Sequence, residues 1–280
     1  MRVVSPGCCS MGFDDEVAEG SRLSSRNPSR IAIMQPAYLP WLGYFDLMDQ
    51  ADVFVLLDSV SFEKSSWQQR NRIKTAQGLQ WLTVPIRRRF GQLISEVEIK
   101  TPAFWKKHLR ALEINYHRTP YFQAYFPALG RVYEQAAEST RLVDLDARLI
   151  EWLASTFGIG TPIVKSSTLK VQGKRTALVA SICERLGCST YLSPLGAAVY
   201  LLNELAEFSE RGIEVLFHHY DHPFYRQLYE PFLSHASVID LLFNEGERSL
   251  EVIQSGRQKS YLPDEVECSV ARLDPAEKLT

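Results

Sequence analysis

Short apolar runs alternate along this chain with stretches in which apolar residues return every three or four positions. Ile31–Gln35, Asp52–Leu57, Trp81–Ile86, Pro162–Lys165, Ser189–Ser193 and Ile213–Phe217 read as strands. The run at Asp52–Leu57 is continuously apolar rather than alternating, the mark of a strand covered on both faces of a parallel sheet. Between these runs lie helical patterns. Trp41, Phe45 and Met48 share one face of a helix whose first turn Pro40 can occupy, because a proline there gives up no hydrogen bond. Pro102–Glu113, Tyr121–Ala137 and Leu142–Phe157 follow, the last stopped by Gly158. Thr176–Leu186 is closed by Gly187, Leu195–Phe208 comes next, and Ser237 caps a helix through Phe243 that ends near Gly246. Strands alternating with helices predict an α/β fold: a parallel wound sheet with an inserted helical lobe at about 102–157. One domain over 30–246 is expected, between a disordered leader at 1–29 and a charged, loosely held tail at 247–280.

Composition narrows the classes. The chain has 280 residues, 45% hydrophobic and 23% charged, as an ordinary globular protein does. A formal charge of -2 supplies no basic field, which argues against duplex nucleic acid as the main partner. Cysteines number five, an odd count, and Cys183 and Cys188 sit in apolar context; this suits a reducing, cytoplasmic setting better than a disulfide framework. No apolar run reaches the ~18 residues of a membrane span. Residues 1–29 are rich in Ser, Gly, Arg and Asp and lack the apolar region of a secretion signal, and Cys8-Cys9 within them carries no metal signal.

Candidate chemistry falls at strand ends. The loop Gln35–Tyr44 leaves the first strand and enters a helix, where open α/β sheets bind ligands. Gln35 offers an amide, Tyr38 and Tyr44 phenols, and Gly43 a close backbone approach. Filling of the core by these aromatics is the alternative. Asp58 ends the second strand, where a metal ligand, ribose contact or general base often sits, or it pairs with Arg70 or Arg72. If Ser66–Lys74 is extended, Gln68, Arg70, Arg72 and Lys74 share one face and Trp67, Asn71 and Ile73 the other. Cations so aligned suit a phosphate-bearing ligand or protect a sheet edge. Ser166-Ser167, Gly173-Lys174-Arg175-Thr176, and Ser193 with Gly196 mark further strand-end loops, although the spacing of a phosphate-binding P-loop is absent. His218-His-Tyr-Asp-His222 invites a metal reading, but Pro223 and the preceding strand keep the imidazoles from a shared helical face. A histidine such as His222 acting as a general base at a strand end fits better, and satisfied polar loop residues fit better still. No G-x-S-x-G elbow is present.

Together these residues resemble the WbqC-like protein family. The resemblance rests on Met34-Gln-Pro-x-Tyr-Leu-Pro-Trp-x-Gly-Tyr-Phe45, Ala51-Asp-x-Phe-Val-x-x-Asp58, Lys64, Arg70-Asn-Arg-Ile-Lys74 and Trp81-Leu-Thr-Val-Pro85. It continues through Ser166-Ser167, Tyr191-Leu-Ser193, Gly196, His222-Pro-x-Tyr225, Gln227 and Ser237-x-x-Asp-Leu-Leu-Phe-Asn-x-Gly246. A fainter resemblance links the opening strand, loop and helix to the Rossmann-like HUP fold of nucleotidylyltransferases, with Trp41 and Tyr44 where those enzymes carry histidines.

Membership would imply a role in bacterial surface-polysaccharide (O-antigen) or secondary-metabolite biosynthesis. The activity it suggests is acyl or aminoacyl transfer to an amino sugar or carrier-bound amine. The donor would be nucleotide- or phosphopantetheine-linked. The resemblance brings no assigned catalytic residue. On the strand-end chemistry read above, Arg70, Arg72 and Lys74 would hold its phosphate, with Lys64, Asn71, Trp41, Gly43, Ser166, Ser193 and Tyr225 lining the same site. Gln35, Tyr38 and Tyr44 would orient the reacting group and Asp58 or His222 would act as base. Alternatives are a non-catalytic nucleotide-sugar or carrier-binding protein, and a nucleotidylyltransferase-like enzyme. The residues imply no metal site.

Overall fold

The computed structural model describes residues 29–270; most of the expected leader, with Cys8 and Cys9, and residues 271–280 lie outside them. β1 (Arg30–Met34) opens the fold, and the loop Gln35–Trp41 leads to α1 (Leu42–Asp49). Trp41, expected inside this helix, is its N-cap instead, and Pro40 precedes it. β2 (Val53–Leu56) follows, buried at every position as its apolar run predicts.

The connection from β2 to the next strand of the same sheet is long. It carries an antiparallel hairpin, β3 (Arg70–Thr75) and β4 (Gly78–Thr83), then the short pair β5 (Ile86–Arg87) and β6 (Glu98–Ile99). The helices α2 (Trp105–Tyr116), α3 (Phe122–Ala136) and α4 (Leu142–Phe157) complete it. The helices lie where their periodicity placed them. The insertion is nevertheless larger than the helical stretch alone, since the hairpin belongs to it. The run expected as a strand at Trp81–Ile86 is split between β4 and β5, with Val84 and Pro85 between them.

β7 (Ile163–Lys165), α5 (Arg175–Leu186) and β8 (Thr190–Pro194) resume the alternation. The helix expected over Leu195–Phe208 is broken into short turns around α6 (Ala198–Leu201) and α7 (Ala206–Ser209). β9 (Glu214–His218), α8 (Val238–Glu245), α9 (Ser249–Ser255) and α10 (Pro263–Val270) end the described chain.

The main sheet is five-stranded and parallel throughout, in the order β7-β2-β1-β8-β9. Each face is covered. Ala32, Phe54, Leu56 and Leu192 pack with α1, the inserted helices and α8, while Ile31, Ile33, Val53, Val55, Tyr191, Val215 and Phe217 pack with α5, α6 and α7. Chain direction across the sheet reverses between β1 and β8, so the crevice at the switch point opens beside Gln35 and Ser193–Pro194.

The segment after Glu247 departs from the expected loose tail. Asp46 of α1, with no exposed surface, accepts from Arg257 Nε at 2.8 Å, and Arg257 also pairs with Asp49. Tyr261 and Phe217 exchange two backbone hydrogen bonds of 2.9 Å, and Val266 is fully buried. A charged composition suggested solvation; the buried carboxylate of Asp46 gives one of those charges a partner inside.

Candidate functional site

The loop Gln35–Trp41 is built tightly. Leu39 holds a left-handed backbone (φ 46°), a conformation disfavoured for a side chain of its kind, and its carbonyl accepts from Asn71 Nδ2 at 2.7 Å. Tyr38 N–H donates to the Trp67 carbonyl at 2.9 Å, and the Gln68 amide donates to Gln35 Oε1 at 2.7 Å. Ser237 N–H donates to the Arg72 carbonyl (2.8 Å) and Val238 N–H to that of Pro40 (2.9 Å). The strand-end loop, the β3–β4 hairpin and the start of α8 are therefore one wall. Asn71 is part of that scaffold rather than a ligand contact.

On the hairpin, Arg72 lies directly across from Trp81, and Arg70 from Thr83. The Arg70 guanidinium sits 4.2 Å from the Trp81 ring centre, and that of Arg72 is 5.4 Å from both Trp67 and Trp81. The two indoles are 5.4 Å apart. Neither arginine has a carboxylate partner among the described residues, and the Nε atoms of both are buried without a hydrogen bond. Burial pulls the Arg72 pKa below its ordinary value. Two half-buried cations stacked on two tryptophans, one of them 42% exposed, form a platform suited to an anionic, ring-bearing ligand.

Lys74, expected with these arginines, is not with them. It is buried, donates from Nζ to the Pro231 carbonyl at 2.5 Å, and faces Asp240. Asp240 accepts from Tyr225 (2.8 Å) and Gln227 (2.9 Å), and burial pushes its pKa up to about 6. Tyr225 is thereby a core residue. Lys64 is exposed and belongs to no ion pair among the described residues.

Behind the loop, Trp41 is half-buried. Its ring lies 5.5 Å from Tyr220, 5.5 Å from His235 and 6.3 Å from His222, and His222 is 4.9 Å from His235. His222 Nδ1 meets the Pro223 carbonyl at 3.0 Å, whereas its Nε2 is buried and has no hydrogen-bond partner among the described residues. Burial, and then the neighbouring His235, lower its pKa to about 4, so the imidazole is neutral near pH 7. Gly43 serves this cluster rather than a ligand: a Cβ there would come within 2.3 Å of the Trp41 ring.

Several expected site residues are structural. Tyr38 is fully buried, bonded to His108 Nδ1 (2.7 Å) and to the Tyr133 hydroxyl, and burial drives its pKa far up. Tyr44 is buried likewise and donates to the Gln35 carbonyl at 3.3 Å. Asp58 is 1% exposed; its oxygens accept from Ser166 Oγ (2.9 Å), Ser167 N–H (2.8 Å) and Ser167 Oγ (2.7 Å). That arrangement commits both oxygens of Asp58 and the Ser166 hydroxyl to the turn after β7. Ser193 is buried beneath Pro194, whose carbonyl its hydroxyl reaches at 3.2 Å. His218 turns away to Asp46 (2.7 Å), and among the described residues no group of acidic, Cys and His side chains could hold a metal ion.

Trp67, Trp81, Tyr220 and His235 complete the arrangement and were not expected in it. Trp81 is placed opposite Arg72 by the hairpin register, and Ala76-Gln77 is not one of the two-residue turn signatures that would announce that register in the sequence.

Comparison with known proteins agrees with the sequence motifs. The WbqC-like protein family model matches residues 35–252. Rv1507c of Mycobacterium tuberculosis, itself an uncharacterized protein, is 36% identical over 232 residues, spanning 82% of this chain and 99% of its own.

Proposed function

Because the chain belongs to the WbqC-like protein family, we propose that it is a cytoplasmic transferase that takes an acyl or aminoacyl group from a nucleotide- or phosphopantetheine-linked donor to an amine. The acceptor is an amino sugar or a carrier-bound amine, as in bacterial surface-polysaccharide or secondary-metabolite biosynthesis. One observation carries the reading: Arg70 and Arg72, half-buried and without a carboxylate partner among the described residues, are stacked on Trp67 and Trp81. A desolvated guanidinium is unfavourable alone and becomes favourable with a phosphate, while an exposed indole accepts a base or pantetheine chain. The platform is joined through Gln68 and Gln35 to the loop that ends in Trp41.

Beyond that loop His222 is the base this reading requires. The amine nitrogen attacks the donor carbonyl carbon, the carbon–sulfur or carbon–oxygen bond to the carrier breaks, and the amine proton passes to His222 Nε2. The imidazole is neutral near pH 7, and its Nε2, buried in the free protein, holds no hydrogen-bond partner among the described residues. It takes the proton once the amine displaces the rings that cover it. Nucleotidyl transfer is not supported, since Trp41 folds over Gly43 and Tyr44 is committed to Gln35.

Calorimetry with coenzyme A and with a uridine diphosphate sugar tests the reading. Arg72→Glu is expected to weaken whichever ligand binds by about 2–3 kcal/mol, in line with a lost charge-assisted contact. Absence of binding to both ligands, or indifference to Arg72→Glu, would remove it. Retained binding without acyl transfer to any amine, and without effect of His222→Ala on turnover, would leave a binding protein instead.

A further inference from the structure

The turn after β5 has a composition that folding does not account for. Phe90 is 98% exposed, and Arg87, Arg88 and Arg89 beside it are exposed as well. Arg87 reaches Glu98 only at 3.9 Å, and Glu98 is shared with Arg141. Glu96 is turned onto the Leu93 N–H. Arg88 and Arg89 have no carboxylate partner among the described residues. The Ser61–Leu93 bridge and the 2.8 Å bond from Phe62 N–H to the Gln92 carbonyl bring the segment carrying exposed Lys64 alongside. Lys100, also exposed, is tied next to this strand by its 2.7 Å bond to the Pro85 carbonyl. A phenylalanine wholly in water, next in sequence to Arg88 and Arg89, which have no carboxylate partner among the described residues, is how a surface presents an apolar anchor within an attractive field.

Its position is informative. Thr83 ends β4 opposite Arg70, and the chain continues through Val84 and Pro85 directly into Ile86–Arg87. The basic turn is therefore continuous with the end of the arginine–tryptophan platform. We infer that the Arg87–Phe90 turn is the docking surface for an acidic carrier domain that brings the donor as a phosphopantetheine thioester. This deepens the transferase reading and rests on it. The carrier's carboxylates meet Lys64, Arg88 and Arg89, an apolar spot on it meets Phe90, and its phosphopantetheine phosphate runs to Arg70 and Arg72.

The experiment measures an acidic holo-acyl carrier protein, its apo form and free coenzyme A against the full chain at low and moderate salt. Holo-carrier is expected to bind at least tenfold more tightly than coenzyme A, with the advantage falling as salt rises. Arg88→Glu with Arg89→Glu, and separately Phe90→Ala, should abolish that advantage and leave coenzyme A binding unchanged, which also shows that the variants fold. If coenzyme A binds and the carrier adds nothing, the docking inference falls while the donor-binding reading stands. If neither binds, the donor class falls and the docking inference with it. Cosedimentation with phosphatidylglycerol vesicles that depends on Phe90 and both arginines would assign the turn to a membrane surface and overturn the inference.

Discussion

Arg257 Nε donates to Asp46 Oδ1 at 2.8 Å, joining residues 211 apart in sequence. The same carboxylate meets His218 Nε2 (2.7 Å) and Gln50 Nε2 (2.7 Å) on its other oxygen. Asp46 thus ties the first helix, the last strand of the sheet and the C-terminal segment together. Arg257→Ala is expected to lower the free energy of unfolding by about 2–3 kcal/mol, since a buried carboxylate loses its permanent cation while two other donors remain. Urea denaturation measures this, and a change below about 0.5 kcal/mol, the range of ordinary surface substitutions, would contradict it.

Gly43 and Trp41 give a sharper test. Alanine in the first turn of a helix is ordinarily better than glycine by about 1 kcal/mol. Here its Cβ would overlap the indole, which is already packed against Tyr220, His222 and His235 and has little room to swing. Gly43→Ala should therefore destabilise wild type by roughly 1–2 kcal/mol, the cost of overpacking. In a Trp41→Ala background the sign should reverse. Equal effects in the two backgrounds, in a double-mutant cycle, would show that the ring does not occupy that slot.

The pH dependence of stability should carry opposing contributions. Asp240 has a folded pKa raised to about 6 from an ordinary 3.8, so the folded state binds its proton more tightly and this group's contribution declines as pH rises from about 4 to 6. His108 and His222 are held near 4, below an ordinary 6.5, so their contributions are complete above about 6.5 and are lost as pH falls toward 4. Burial raises the carboxyl groups of Asp146 and Glu151 as well, so their contributions run with that of Asp240 and against those of the two histidines. Asp240→Asn removes one contribution from that opposing side. Relative to wild type, that variant should gain about 2–3 kcal/mol between pH 4 and pH 7, following the linkage of about 1.4 kcal/mol per pKa step. A constant difference across that range would contradict the raised pKa.

Much of this architecture is legible in the chain. Strands such as Val53–Leu56 are apolar at every position because both faces of the sheet are covered, and Gly158 and Gly187 end their helices in the left-handed conformation. The platform was half legible. Alternation placed Arg70 and Arg72 on one face, but Lys74 was withdrawn from it by a contact with Pro231, 157 residues away. Trp67 and Trp81 became visible only through the hairpin register and the fold of its flank. The phenols of Tyr38 and Tyr44 looked available because spacing near a strand end carries no information about burial; the helical lobe that covers them lies between β2 and β7. Charge misled in the C-terminal segment, where long-range pairing with Asp46 outweighs local composition.

Asp58 provides the last test, because its position at a strand end points to a base while its contacts point to a cap. Its oxygens hold three donors from Ser166 and Ser167, and its own N–H donates to Ser166 Oγ at 3.1 Å. Asp58→Asn keeps Oδ1 for Ser166 Oγ and Ser167 N–H and puts an amide N–H at the Oδ2 position, where the Ser167 hydroxyl turns from donor to acceptor. The bonds lose their charge assistance, and unfolding free energy is expected to fall by about 1–2 kcal/mol. Ser167→Ala removes the partner at Oδ2, so the two changes share one contact and the double variant should be less destabilised than the sum of the single changes. Ligand affinity at Arg72 should stay within about twofold in every case, since the cap and the platform share no contact. If Asp58→Asn instead left stability intact and abolished turnover with binding retained, Asp58 would be the base after all, and His222 would be reduced to packing against Trp41.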